Sequence, residues 1–466
     1  MMINRYCARW AVAVSMAAAA PLLLSSCNTS ELLLEPQQPG VIGPENIGNS
    51  TGAEALRIGA LQQLSAVTGG GTTFWSSGGT LADEWKSADT FFQTDETDRR
   101  TIPTNNSQVS GQYSNAQVAR GHAVVAIRAL RQHSPERTAY IAQLYFALGF
   151  IEMNMNEHFC NGIPFGYTKD GVPVYVAPIT NKDGFALANA RLDSGLALVA
   201  NVAASDAFGT SVKNSLLVAK ARGLLDLGEF AAAATTVTSV PTSFAWNLTY
   251  STTAGDNGPY GMNGIPASSR YVVADSFDFF NGQVSIVRNG LPFGSAKDPR
   301  VPVLGSTTGT QKGIDAYTPW VGSAVWSDRS APVTLVSGID ARLIEAEAKL
   351  QTNDVTGMMT ILNALRTTPQ KLGKLDVPAM APLAAPATQY DATSLLFREK
   401  AFWQFGRGQR LGNLRRLIRQ YGRPQDQVFP VGNYFKSGTY GSDVNLPVTD
   451  NEQTNPNFKA CINRNA

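Results

Sequence analysis

The stretch Leu216-Leu217-Val218-Ala219-Lys220-Ala221-Arg222-Gly223-Leu224-Leu225-Asp226-Leu227-Gly228-Glu229-Phe230-Ala231-Ala232-Ala233 decides how this chain folds. Leu216, Leu217, Leu224 and Leu225 fall at helical spacing, and the run stops at Leu227-Gly228. Glycine lets the backbone turn there without the penalty a Cβ would bring. Glu229-Phe230 opens a second helical run that stops at Val240-Pro241. Its alanines let two helices approach closely, and Phe230 is placed to pack back into the hairpin. The reading is two helices joined by a tight corner.

The pattern recurs outward from this hairpin. Residues 339–366 predict a second pair: Ile339, Leu343, Ala346 and Leu350 form one apolar face, Thr352-Asn353-Asp354 turns, and Val355, Met358, Met359, Leu362 and Leu365 form the next. Upstream, Leu56, Ala60, Leu61 and Leu64 predict a helix from near Glu54 to the Gly69-Gly70-Gly71 stop. Residues 112–132 and 137–157 predict two long helices joined at Ser134-Pro135, and residues 189–204 predict another. Each hairpin resembles a tetratricopeptide-like helix pair, but the pairs are distant and divergent, so the expectation is an irregular helical solenoid. Residues 242–335 break the pattern with Gly, Pro, Ser, Thr and Asn among interleaved aromatics, and predict loops and small strands such as Tyr271-Val272-Val273. Residues 367–392 read as a Pro/Ala-rich connector, residues 393–421 as a last helical segment broken at Gly406 or Gly408, and the tail from Gly422 as loop.

The N-terminus sets the compartment. Arg5 and Arg9 precede an uncharged run from Ala11 to Leu24, which ends in Leu24-Ser25-Ser26-Cys27. The run is shorter than the roughly 20 apolar residues that span a bilayer. The pattern looks like a bacterial lipobox, with residues 1–26 as signal peptide, Cys27 lipidated and residues 27–52 as anchor and tether. An ordinary secretory signal with an incidental cysteine is the alternative. The mature chain would hold 440 residues with 36 basic and 36 acidic side chains. That balance offers no steering toward nucleic acid. Charged residues at 16% against 43% hydrophobics permit a large core, and the length allows two or three domains. Cys160 and Cys461 remain, and in an oxidising compartment they predict a disulfide; two unpaired cysteines are the alternative.

Chemistry is sparse. The three histidines, His122, His133 and His158, have no metal-ligand spacing, and no nucleophile elbow, phosphate loop or dinucleotide fingerprint appears. Neither a cofactor, a metal nor a catalytic residue is expected. Asp83-Glu84 is placed to cap a helix. Glu345 and Glu347, two residues apart on a helix, face different ways and are expected to be solvated or ion-paired. Trp75, Trp85, Trp246, Tyr260, Trp320 and Trp326 lie in or near polar loops. Flat rings of this kind stack on the apolar C–H faces of sugars, and neighbouring Asn, Gln and Arg read hydroxyls. Each of the six is either a core residue or a ligand contact on sequence alone.

One segment carries a resemblance. Leu396-Phe397-Arg398-Glu399-Lys400-Ala401-Phe402-Trp403-Gln404-Phe405-Gly406-Arg407-Gly408-Gln409-Arg410-Leu411-Gly412-Asn413-Leu414-Arg415-Arg416 resembles the C-terminal signature of the SusD/RagB family of outer-membrane nutrient-binding lipoproteins. Ile141 to Gly166, Ile339 to Arg366, and Leu446-Pro447-Val448 through Asn455-Pro456-Asn457 resemble further segments of that family. Gly406-Arg407-Gly408 and Asn413 depart from its usual acidic residues. The resemblance implies a mainly α fold, an irregular tetratricopeptide-like scaffold of about four helix pairs with a loop-rich, minor-β ligand-facing part, in a single domain over residues 53–466 with the loop-rich insertion at about 242–335. It implies a non-enzymatic protein, lipid-anchored at the outer membrane, that binds an oligosaccharide or other nutrient and delivers it to a SusC-like TonB-dependent transporter. Peptide delivery and surface glycoside hydrolysis are the other readings. The arginines 398, 407, 410, 415 and 416 are expected to form ion pairs and cap helix carbonyls. The aromatic loops after Asp83-Glu84 and within residues 246–326 are the expected ligand face.

Overall fold

Ten helices of eight or more residues run through the described parts of the chain, residues 48–169, 172–253 and 255–466 of a computed structural model. They are α1 (Ser50–Gly69), α2 (Ser107–His133), α3 (Thr138–His158), α4 (Asn181–Leu198), α5 (Ala207–Asp226), α6 (Phe230–Val237), α7 (Gly338–Gln351), α8 (Val355–Thr367), α9 (Gln389–Trp403) and α10 (Arg410–Arg419). Consecutive helices pack on one another from α1 to α8, giving successive pairs α1/α2, α3/α4, α5/α6 and α7/α8. Helix α9 packs on α7 and α8, and α10 on α3 and α9. Residues 49–466 form one compact unit. The signal segment, Cys27 and most of residues 27–52 lie outside the described residues.

Local chemistry explains the boundaries. Asn49, Asn106, Thr180, Asp206, Ser337, Asp354 and Thr388 each accept a backbone N–H at a helix start. Such caps are worth about 1 kcal/mol apiece. Ser337 and Asp340 cap each other reciprocally. The Thr180 cap corrects one expectation: the helix read over 189–204 is α4, which starts at Asn181 and ends at Leu198. The corner at Gly228 takes φ +81°, and Phe230 packs half-buried against the main core. The last helical segment breaks through both glycines, Gly406 at φ +70° and Gly408 at φ +69°, which separates α9 from α10. The strands, among the described residues, pair only two by two. Trp85–Ser87 pairs antiparallel with Tyr271–Val273, far apart in the sequence, and Ala245–Leu248 pairs with Val333–Ser337.

Helix α3 is buried almost throughout its last five turns, polar residues included. Each buried charge there has a partner, as it must, because an unpaired one would cost several kcal/mol. Glu152 accepts from Arg120 at 2.9 Å and Glu157 from Arg222 at 2.6 Å. Arg415 Nη1 donates to the carbonyls of Asn156, Glu157 and Phe159 at 2.9, 2.7 and 2.9 Å. Arg416 and Lys400 both pair with buried Glu347 on α7, whose carboxylate also accepts from Tyr421 Oη at 2.6 Å. Burial alone would raise Glu347, but the two cations pull it down to about 2. Glu345 pairs with Arg342 at the helix surface, 3.0 Å away. Arg407 reaches Asp340 and the carbonyls of Thr334 and Leu335. Arg398 lies over the Phe402 ring, 4.8 Å from its centroid.

Cys160, just past α3, is bonded to Cys461, 301 residues on. In the chain-entropy model a loop of that length contributes at most roughly 5–6 kcal/mol. Cys160→Ser/Cys461→Ser should lower unfolding stability by about 2–5 kcal/mol in urea titration; an unchanged midpoint would show the bridge contributes nothing. Arg415→Met should cost at least about 3 kcal/mol by the same measurement, since it strips three buried carbonyls of their donor.

Candidate functional site

The structure places most of the expected aromatics in one cluster but turns them inward. Trp75, Trp85, Trp320 and Trp326 are each at most 5% exposed, in a second core with Tyr271, Phe293, Phe402 and Phe405. Trp75 meets Trp85 edge-on at 5.3 Å, and Trp85 stacks on Trp326 at 6.0 Å. Trp320 Nε1 donates to Asn263 O at 2.9 Å and Trp75 Nε1 to Gly70 O at 2.7 Å. Half-buried Tyr260 packs against the same core. Trp246 does not join them; it is half-buried against the main core, 5.8 Å from Phe146. The four indoles therefore present core faces, because each buries a large flat apolar area while few polar loop groups compete for it.

Three other aromatics are exposed in the loops where a ligand face was expected. The strand Trp85–Ser87 runs on into Ala88, whose N–H donates to Arg270 O at 2.9 Å and whose carbonyl accepts from Asp315 N at 3.1 Å. These bonds bring three distant loops together. Phe91 and Phe92, at the start of the short helix Phe92–Asp98, are 48% and 64% exposed. Tyr317, on the loop behind Asp315, is 64% exposed. Asp315 shapes that loop: its Oδ1 accepts from Tyr317 N at 3.0 Å and Thr318 N at 2.9 Å. Arg270 lies 4.8 Å from the Phe91 ring centroid. Tyr317 falls within the aromatic-rich residues 242–335, but the sequence singled out neither it nor Phe91-Phe92. The signal was present: adjacent bulky residues at a helix start cannot both turn to one core.

Titratable groups near this face are mutually engaged. Arg270 pairs with Asp89 at 2.5 Å, and Lys436 lies 2.7 Å from Asp95 and 3.3 Å from Asp315. Among the described residues no group of three or more His, Cys, Asp or Glu is arranged to hold a metal ion. His158 is buried, and burial lowers it to about 3, so it is neutral. Its Nε2 donates to Gly408 O at 2.7 Å. His122 is exposed and His133 half-exposed on α2.

The sequence matches no family model and no curated protein. Solved structures do match. A SusD superfamily protein from Bacteroides thetaiotaomicron superposes with a TM-score of 0.64 at 11% identity, over 89% of this chain and 100% of that one. Surface glycan-binding protein A from Bacteroides uniformis gives 0.62 at 12% identity over 89% and 99%, and a laminarin-binding SusD-like protein gives 0.60 at 12% over 89% and 99%. The chain has the SusD-like fold.

In this SusD-like scaffold Asp83-Glu84 does not cap a helix, contrary to expectation. The pair precedes the strand Trp85–Ser87, with Asp83 at φ +59°, and both side chains are buried. Glu84 Oε1 accepts from Gly406 N at 3.3 Å, tying the indole layer to the break between α9 and α10. Burial raises Glu84 to about 8, against a smaller opposing pull from Arg410. The folded state then holds a proton that the unfolded state releases near pH 4.5, so stability falls as pH rises from there to about 8. Each such proton contributes a slope of about 1.4 kcal/mol per pH unit. Glu84→Gln should remove about one proton's worth of that slope when urea midpoints are compared between pH 5 and pH 8; an unaltered slope would place the proton elsewhere.

Proposed function

We propose that this protein is a SusD/RagB-type surface lipoprotein that binds an oligosaccharide and passes it to a TonB-dependent outer-membrane transporter. The observation that carries the reading is the trio Phe91, Phe92 and Tyr317. These rings stay exposed on loops that the backbone holds together, in a fold whose solved relatives include proteins described as glycan-binding and laminarin-binding. Exposed rings stack on the C–H faces of pyranoses, and the surrounding Asp, Thr and backbone groups can exchange hydrogen bonds with hydroxyls. Trp75, Trp85, Trp320 and Trp326 act from beneath as the rigid platform of this face, with half-buried Tyr260 packed on the same core, while Trp246 belongs to the main core and takes no part.

The lipid anchor rests on Leu24-Ser25-Ser26-Cys27. No helix among the described residues is long and apolar enough to cross a membrane. Binding without hydrolysis is supported by the carboxylates. A glycosidase needs an acid of raised pKa facing the sugar and a second carboxylate opposite it. Here Asp89, Asp95 and Asp315 are tied up in ion pairs, and Glu84 and Asp98, raised to about 8 and about 7 chiefly by burial, are closed off from solvent.

Phe92→Ala and Tyr317→Ala should each weaken binding on a glycan panel about tenfold, the loss of roughly 1–2 kcal/mol of stacking, with thermal midpoints unchanged. Full affinity in both variants would remove this face as the site. Release of reducing sugar by the purified protein would replace binding with hydrolysis, and selective peptide capture would replace the glycan. Cys27→Ala should shift the protein from the membrane fraction to the soluble fraction and abolish fatty-acid labelling.

A further inference from the structure

Building on the proposed glycan site, we infer that its ligand is a neutral oligosaccharide, and that the ion pairs of Arg270 and Lys436 exclude uronate-bearing or sulfated chains. The argument starts from how the cations beside Phe91, Phe92 and Tyr317 are used. Recognition of an acidic sugar needs a guanidinium or ammonium free to meet its carboxylate. Arg270 is spent on Asp89, and that carboxylate is fixed in turn: it is buried and accepts from Thr90 N at 2.8 Å and Thr94 Oγ1 at 2.8 Å. The guanidinium is also seated on the Phe91 ring. Lys436 lies between Asp95 and Asp315, with its ammonium also 3.3 Å from the Asp89 carbonyl. Asp315 is held in place by Tyr317 N, Thr318 N and Thr318 Oγ1. Burial alone would raise the Asp315 carboxyl, but those hydrogen bonds and the Lys436 charge keep it below the ordinary carboxylate value, hence ionised.

Three carboxylates thus face Arg270 and Lys436, and with the Lys312 ammonium counted the polar rim of the aromatic face carries no net charge. At the base of the Tyr317 loop the Lys312 ammonium is turned to Gly309 O at 3.4 Å. An incoming uronate would meet no net positive charge, and to reach Arg270 or Lys436 it would have to displace a carboxylate already fixed by its own hydrogen bonds. Sugar hydroxyls face no such conflict, since they can donate to Asp95, whose side chain stays 29% exposed.

The test is calorimetric binding of the full mature chain to matched neutral and uronate-bearing oligosaccharides, glucose hexasaccharides and a galacturonate hexasaccharide among them, at low and high salt. The wild type should bind a neutral member at least about tenfold more tightly than its charged counterpart, with the gap narrowing as salt rises. In Asp95→Asn and Asp95→Asn/Asp315→Asn the ratio of charged to neutral affinity should rise about tenfold as Lys436 is released. Asparagine keeps the Oδ1 acceptor that the Tyr317 loop needs, and the salt series on the wild type stands without either variant. Equal or preferential binding of the uronate by the wild type overturns the inference and leaves glycan binding intact. Binding of no oligosaccharide in the panel overturns both.

Discussion

Arg415 is a fully buried guanidinium, and three carbonyls converge on one of its nitrogens. Those carbonyls belong to the end of α3, where a helix runs out of N–H partners and where its dipole is negative. Burial lowers Arg415 to about 9, with the nearby Arg419 charge adding to the effect, so it remains a cation at neutral pH. One residue thus closes the central helix and seats α10 against it. The other arginines of α10 extend the same device. Arg416 reaches Glu347 on α7, and Arg410 Nε donates to Ala82 O at 2.7 Å. Helix α10 is therefore the clasp between the helical pairs and the loops that lead to the exposed rings.

That clasp explains how exposed phenylalanines can be held in fixed positions. Ala82 is three residues ahead of Trp85, whose strand pairs with Tyr271–Val273 and continues into the loop bearing Phe91. Beneath this ribbon Trp75, Trp85 and Trp326 interlock. Burying such rings contributes on the order of 2–3 kcal/mol each, enough to fix a segment with little regular secondary structure. The stability is generated inside, by the indoles, and the surface aromatics are carried by it. Their exposure costs little in a molecule whose cores are already closed.

The buried carboxylates make the same region dependent on pH. Glu84 lies beside the indole layer with one oxygen lacking any hydrogen-bond partner, which is why burial dominates its titration. Glu347, equally buried, titrates the other way because two cations and a phenol surround it. The contrast is one of partners rather than depth.

Much of the frame was legible in the residues. Leu227-Gly228, Thr352-Asn353-Asp354 and the glycines 406 and 408 turn where local chemistry says they should, because caps, corners and apolar faces act over four or five residues. The Cys160–Cys461 bond followed from cysteine arithmetic, and the role of the arginines from a charged cluster in an apolar segment. The α4 boundaries were misread, since its start rests on the single hydroxyl of Thr180. What residues alone could not decide was which aromatics face inward. Trp85 and Phe91 are six positions apart in similar polar surroundings, yet one is sealed and the other exposed. That choice depends on the contacts of Trp85 with Trp326 and Phe405, both more than 240 residues away. The sequence by itself determined the helices, the corners and the covalent tie. Only the tertiary structure decided the face, because side-chain burial is set by long-range packing, which local pattern does not encode.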